Sequence, residues 1–342
     1  MLVYEKLVYP SHSSVRKAPQ NIKEDDEVLF KHEYQSSICA TNFLKLKNVD
    51  VLQDTVFDLS TFLFFAPYTH INGCFTWAEK VEKLKLFLKA KTSVNRGVWI
   101  TQNWTWMYFH WMTDALTRLI ALEGEVEKFP VLLPISYKPY PYIVESLELL
   151  GYEYVWYTPT QRVRVKELLL PSHTASPGNY NVTFLNQLRD RFFESTTTTT
   201  TTTKPLRKIF ISRSKATQRF ISNEEELISL LISFGFEIHV FEHYSLSKQI
   251  DLMRDTQCLL GIHGAGLTNM LFMPSTGSVI ELRNRGDQYN NCYFSMASAL
   301  NHTYYYLQGD GDSEQTASVN LRIDLVQLIN LLRLASVTQT TI

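Results

Sequence analysis

Residues 257–273 read QCLLGIHGAGLTNMLFM. An apolar run closing on Gly261 and Ile262 meets His263, Gly264, Ala265 and Gly266, and a second apolar run follows. The spacing predicts a buried strand, a tight turn and a helix. Glycines at a strand-to-helix turn have two uses: close packing, or room for backbone N–H groups to approach an anion. The order here is G-x-x-G-x-G. The dinucleotide turn is G-x-G-x-x-G and opens the first strand–helix–strand unit. This turn follows the third strand of its half, which counts against a nicotinamide-dependent oxidoreductase.

Outward from that turn the second half of the chain alternates strand and helix. RKIFISR (207–213) is a strand. NEEELISLLISFGF (223–236) is a helix with Ser222 or Asn223 as its cap, acidic residues in its first turn and Gly235 at its end. EIHVFE is a strand, SLSKQIDLMRD a helix, QCLLGI a strand and SVIELR (278–283) a strand. This alternation is the pattern of a parallel, doubly wound sheet. Ligands of such sheets sit beyond the carboxyl ends of the strands. Those ends offer Arg213, Ser214 and Arg219; Glu242; the turn His263–Gly264–Ala265–Gly266; and Glu281 with Arg283. Arginines can hold a diphosphate through paired, charge-assisted hydrogen bonds. A helix N-terminus adds N–H groups, and a carboxylate at a strand end, Glu281, can accept from ribose hydroxyls. The competing reading is a packing turn in which His263 is a structural hydrogen-bonder.

The first half reads the same way with less clarity. GVWIT (97–101) is a strand, residues 107–124 a helix stopped by Gly124, FPVLLPI a buried strand, YPYIVESLELLGY a helix closed by Gly151, and EYVWYTP a strand. That alternation indicates an α/β domain. His110, Asp114 and Arg118 are spaced four apart and share one face of the first of these helices, opposite Phe109, Met112, Leu116 and Leu119. Trp104, Trp106 and Trp111 crowd its entry. A His–Asp pair can bring a base to a cleft, and a solvated polar helix face is the plainer alternative. Residues 1–95 are the least legible, with helical spacing only in part of 74–91. Eight threonines, 196–203, cannot present a core face and read as a flexible insertion. The expected division is an acceptor-side α/β domain over 1–190, the Thr-rich insertion over 191–204, and a nucleotide-binding domain over 205–342. The tail DLVQLINLLRL has helical spacing and is expected to cross back onto the first half rather than join a partner chain.

A chain of 342 residues suits two cores. Lys and Arg (33) nearly balance Asp and Glu (34), so charge gives no argument for nucleic acid or an anionic membrane. Cys39, Cys74, Cys258 and Cys292 show neither zinc spacing nor a disulfide framework. The first residues lack a basic-then-apolar leader and no apolar run is long enough to span a bilayer. The expected location is cytoplasmic, or the Golgi or ER lumen if the start is incomplete. The sequons at Asn103, Asn181 and Asn301 matter only in the second case. Asp310-Gly-Asp312 has the form of a metal–diphosphate motif but reads as an exposed loop with no strand feeding it. Asp25, Asp26 and Glu27 read as an acidic surface run without partners.

The block from 207 to 282 resembles glycosyltransferase family 61. It carries the arginine-rich strand end, the Asn-Glu helix start, Glu242-x-x-Ser245 before a Gln-Ile helix, the HGAGLTN turn, the Met-Pro loop and the Glu-Leu strand, in that order. Upstream, YFHWMTDALTRL resembles the family's His-Trp-x-x-Asp helix. The resemblance covers roughly residues 97–285. It implies a GT-B-like architecture, two Rossmann-type domains facing across a cleft. It also implies a nucleotide-sugar donor, usually a UDP-sugar, a glycan or glycosylated acceptor, inversion, and no metal or other cofactor. On that basis Asp114 is the expected base, with His110 orienting it or acting instead. Arg213, Arg219 and the turn His263–Gly266 stabilise the leaving diphosphate; Glu281 holds the ribose, and Glu242 holds another donor group or structures the site. A catalytically silent binding module of the same fold is the alternative. Donor sugar, acceptor, linkage and oligomeric state are not written in the sequence.

Overall fold

The protein is described by a computed structural model over residues 1–70, 72–125, 129–196, 207–214, 218–313 and 318–340. Most of the threonine tract, from 197 on, and so its expected flexibility, lies outside the described residues. The chain forms two compact units. The first comprises Met1–His12, Ser37–Ser176 and Thr183–Arg191, and the second Ser13–Ser36, Pro177–Val182 and Phe192–Ile342. Each is a mixed α/β unit built on a sheet rich in parallel pairs. Among the described residues no helix is long and apolar enough to cross a membrane.

Among the described residues the main sheet of the first unit holds eight strands: β1 (Leu2–Tyr9), β2 (Thr41–Leu52), β3 (Thr55–Asp58), β4 (Leu63–Phe64), β5 (Lys91–Val98), β6 (Val131–Pro134), β7 (Tyr154–Tyr157) and β8 (Arg162–Pro171). Their order is β4-β3-β2-β8-β5-β6-β7, with β1 also on β2. Strands β8, β5, β6 and β7 run parallel, and β1, β3 and β8 pair antiparallel with β2. Leu46, Val49, Val51, Trp99, Leu132, Val165 and Leu168 fill the core on this sheet. The helical reading of 74–91 holds for Trp77–Leu84. There Thr76 and Glu79 form a capping box, with Glu79 Oε2 accepting from Thr76 N at 2.7 Å. Beyond a 3₁₀ turn at Lys85–Leu88 the chain is already strand β5, six residues before the expected start at Gly97. Five of the first six residues of β5 are polar and exposed, with only Val94 apolar, so they show no apolar alternation.

In the second unit the strands are β9 (Arg207–Ile211), β10 (Phe236–His239), β11 (Thr256–Ile262), β12 (Ser278–Asn284), β13 (Thr303–Gly311) and β14 (Leu321–Arg322). Their order is β10-β9-β11-β12-β13-β14. All neighbours are parallel except the last pair. The order reverses between β9 and β11. His239, Ile211, Gly261, Glu281 and Tyr306 stand in one register row across the sheet. Residues that follow this row lie toward its carboxyl edge.

The tail forms the helix Leu325–Thr340, and Leu328, Leu331, Leu332 and Ala335 join the core of Phe210, Leu260, Ile280 and Tyr305. The expectation that it crosses onto the first half is therefore corrected: its apolar face is used by its own unit's sheet. Ser222 and Asn223 do not cap the helix Glu224–Ser233 through their side chains. Asn223 instead bridges the main chain of Ile323, donating at 2.9 Å and accepting at 3.0 Å, and Ser222 donates to Leu321 O. Residues 13–36 pack on this unit through Phe30, whose ring meets Phe294 at 5.2 Å. Asp26, expected to lack partners, accepts from Tyr306 Oη at 2.6 Å and Gln308 Nε2 at 2.9 Å.

Candidate active site

The reversal between β9 and β11 is where a doubly wound sheet opens a crevice, because the crossovers to either side leave on opposite faces. Ser212 and Arg213 follow β9; His263 and Gly264 follow β11. A Cβ built on Gly264 would stand 3.5 Å from Nη1 of Arg213 and 3.5 Å from Nη1 of Arg219. Two guanidinium groups thus converge on one backbone position. Arg213 is fixed by Nε donating to Arg219 O at 3.0 Å. Arg219 has φ +57°, a left-handed conformation costly for a residue with a Cβ. Burial and the neighbouring charge of Arg219 lower the pKa of Arg213, with Glu242 partly offsetting them. Glu224 anchors the strand end by accepting from Ser212 Oγ at 2.9 Å and Arg213 N at 3.3 Å. Sequence reasoning assigned it only to the helix's acidic first turn.

The three glycines of the turn differ in use. Gly264 is extended and faces the arginines. A Cβ on Gly266 would lie 3.1 Å from Ile211 Cγ2, and one on Gly261 3.2 Å from Leu267 Cδ2, so these two serve close packing. The segment Ala265–Phe272 that follows is a 3₁₀ helix rather than the expected α-helix.

Strand β12 extends to Asn284, which leaves Glu281 inside the sheet and 0% exposed. Its carboxylate accepts from His263 Nδ1 and from Tyr304 Oη. Burial alone would raise its pKa. The His263 charge and hydrogen bond, Arg283 and Tyr304 outweigh burial and hold it below the usual carboxylate range. Both oxygens of Glu281, the expected ribose acceptor, are engaged inside the protein. What Glu281 does is fix His263, whose ring also meets Tyr293 at 5.0 Å. With Nδ1 committed to Glu281, Nε2 is the imidazole's other working atom. Tyr293 and Tyr304 were missed because nothing local marks them; Tyr304 reaches Glu281 from the neighbouring strand β13, two residues before Glu281's register partner Tyr306. Glu242 is exposed, on the 3₁₀ turn after β10.

In the first unit, residues 108–120 are helical but not uniformly so: Trp111–Ala115 form a π-helical turn. Thr113 Oγ1 donates to Phe109 O at 2.9 Å, and Thr117 Oγ1 to Thr113 O at 2.7 Å. These bonds use carbonyl groups of the widened turn. The pair His110 and Asp114 forms as the spacing predicts, with Nδ1 donating to Oδ2 at 2.7 Å. Asp114 Oδ1 lies 3.0 Å from the same Thr113 hydroxyl, whose one proton is shared between it and Phe109 O.

Arg118 does not share the polar face. It is 0% exposed and donates to Ile100 O at 3.0 Å, Tyr68 O at 2.8 Å and Pro171 O. The wide turn shifts the helix phase, and Arg118 becomes a structural tie. Burial pulls its pKa down to about 9 against the opposing charge of Asp114, so it remains a cation at neutral pH. Replacing Arg118 with Leu is expected to destabilise the protein by about 3–5 kcal/mol, because three carbonyls lose their buried donor and Asp114 loses a nearby countercharge. A thermal melt of the purified variant checks this, with Arg118→Lys recovering part of the loss.

Asp310 and Asp312 are fed by strand β13, contrary to the loop reading. Asp310 pairs with Arg285 at 2.8 Å, and Asp312 accepts from Asn320 Nδ2 at 2.7 Å. Among the described residues no group of three His, Cys, Asp or Glu side chains could hold a metal ion.

Both clusters fall in or beside one matched region. The family model described as Glycosyltransferase 61 matches residues 108–280, about half of the chain. An EGF domain-specific O-linked N-acetylglucosamine transferase of Drosophila melanogaster is 34% identical over 95 residues, 27% of this chain and 18% of that protein. A beta-1,2-xylosyltransferase of Oryza sativa subsp. japonica is 29% identical over 201 residues, 51% of this chain and 34% of that protein. An alpha-1,3-arabinosyltransferase of the same plant is 28% identical over 117 residues, covering 32% and 20%. These matches span about a third or less of each relative's length. From the His-Trp-x-x-Asp helix to the strand ends around Gly264, the chain belongs to glycosyltransferase family 61.

Proposed function

We propose that the chain is a glycosyltransferase. It moves a sugar from a nucleoside-diphosphate donor, a UDP-sugar in the first instance, to a hydroxyl of a glycan or glycosylated acceptor, with inversion and without a metal ion. The observation that carries this is the convergence of Arg213 and Arg219 on Gly264 at the sheet's reversal point. Two half-buried cations beside an uncovered backbone position suit a diphosphate. The relatives' names differ in the sugar moved, so kinship supports the donor class and not one sugar. A GT-B-like pair of Rossmann-type units belongs to the same proposal.

In the proposed step the acceptor oxygen attacks the anomeric carbon from the face opposite the diphosphate. The new C–O bond forms as the bond to the leaving phosphate oxygen breaks, and the electron pair departs with the diphosphate. Arg213, Arg219 and His263 Nε2 meet the growing negative charge. The acceptor's proton goes to the His110–Asp114 pair. Asp114 accepts from His110 and shares the Thr113 proton with Phe109 O, which favours it as the group that orients the ring and His110 Nε2 as the base. Glu281 acts through His263, and Glu242 bears on Arg213.

A ligand that binds only the folded state raises its stability, by about 2.7 kcal/mol at a hundredfold excess over Kd. Thermal melts with UDP, GDP, CDP, ADP and NAD, each without metal and again with EDTA, test the donor reading. Selective stabilisation by UDP that survives EDTA is the expected result. Stabilisation by NAD alone, or by no nucleotide, overturns the cradle. UDP binding that disappears with EDTA removes metal independence.

A further inference from the structure

The loop between β5 and the His110 helix carries features that the transfer step leaves unused. Trp104 and Trp106 are 42% and 40% exposed. Neither sits on a loose loop. Thr105 between them is buried, with Oγ1 2.8 Å from Tyr137 Oη, and Tyr137 also donates to Gln102 O at 3.2 Å. The Trp104 ring meets the His110 imidazole at 5.4 Å. The Trp106 ring lies against Tyr140 at 5.4 Å and 33°, and Tyr140 meets Tyr142 at 6.1 Å. Tyr142 Oη donates to Trp106 O. A row of rings thus starts near the candidate base and is pinned in place by buried hydrogen bonds. Large aromatic side chains held exposed in a fixed array mark a binding surface.

A second observation comes from the same loop. Gln102 is 2% exposed, and neither its Oε1 nor its Nε2 has a partner among the described residues. Asn103 Oδ1 is likewise buried without one. Buried amides left unmet are uncommon and ask for a ligand that supplies both donors and acceptors.

We infer that Gln102–Tyr108, with Tyr140 and Tyr142, form a binding surface for an uncharged glycan chain. A pyranose presents a face of C–H groups, which complements an indole, and hydroxyls that both donate and accept, which complement an amide. The rings carry no formal charge, which fits a neutral glycan rather than an anionic one. The inference rests on the transferase reading only in calling this glycan the acceptor; the binding itself stands apart from nucleotide binding.

The test uses the full chain and xylohexaose and chitohexaose as probes, followed by tryptophan fluorescence and calorimetry. Trp104→Ala, Trp106→Ala and the double variant are compared with Trp77→Ala, which removes a more exposed indole elsewhere in the unit. Binding of at least one probe by the parent chain, weakened tenfold or more in the double variant and unchanged in Trp77→Ala, is expected, with the UDP-induced melt shift retained in all. No binding of either probe, or equal binding by the double variant, overturns the surface. Glycan binding without any UDP response upholds the surface and defeats the nucleotide reading.

Discussion

Replacing both Arg213 and Arg219 with alanine is expected to abolish the stabilisation by UDP while leaving the melting temperature of the free protein unchanged or higher. The two guanidinium groups flank Gly264 without a carboxylate hydrogen-bonded to either among the described residues, and burial with like charge lowers the pKa of Arg213. Removing one cation relieves that repulsion in the free state. In the bound state each lost hydrogen bond to a charged group costs about 1.5–3 kcal/mol. Each 1.4 kcal/mol is about tenfold in Kd, so the double variant should bind roughly 10²–10⁴-fold more weakly. Arg219→Gly also frees a left-handed residue from its strain, which pushes free-state stability up. Gly264→Ala is the steric counterpart. Its backbone is extended and the new methyl group meets only ordinary contacts, so the fold should hold while UDP binding falls. Calorimetry of UDP against the three proteins checks the set. Unchanged Kd in the double variant would remove the arginines from the donor site.

The second sheet was legible because each of its first four strands is a short apolar run ended by a polar or small residue. Helical crossovers between them make those strands parallel, and the carboxyl-edge residues come with that; their order is seen only in the structure. Glu281 shows where that reading fails. A strand's last residue is set by pairing with β13, not by local composition, so a carboxylate three residues inside looked like one at the edge. Arg118 fails for a related reason. A 3.6-residue repeat was assumed, and one π-helical turn invisible in the sequence shifts every later side chain. The Ser222–Asn223 cap was a sound local preference overridden by a distant partner, Ile323. Residues 13–36 were opaque because their anchor, Phe30 against Phe294, is long-range and ends an apolar run of only three residues.

His110→Ala is expected to lower kcat by about 10²–10⁴, the usual contribution of a positioned general base, with the UDP response intact because the proposed nucleotide residues Arg213, Arg219 and Gly264 belong to the other unit. Asp114→Asn separates the two roles. If Asp114 itself took the proton, Asn would be as damaging as losing His110. If Asp114 orients the ring, Asn keeps the shape but can offer its N–H to Nδ1 and reverse the tautomer, leaving Nε2 protonated and unable to accept. Both models therefore predict loss in Asp114→Asn, and the discriminating variant is His110→Gln. It preserves a hydrogen bond to Asp114 and removes the imidazole. Transfer within a few-fold of the parent in His110→Gln would return the base to Asp114; a loss equal to that of His110→Ala would keep it on the imidazole. Thr113→Val supplies a further check. It removes the donor that Asp114 Oδ1 shares with Phe109 O but leaves the bond to His110, so an orienting carboxylate should lose little and a proton-accepting one should change in activity measurably. The geometry favours the imidazole, because Asp114 already accepts from His110 and shares the Thr113 proton while His110 has a nitrogen beyond the pair.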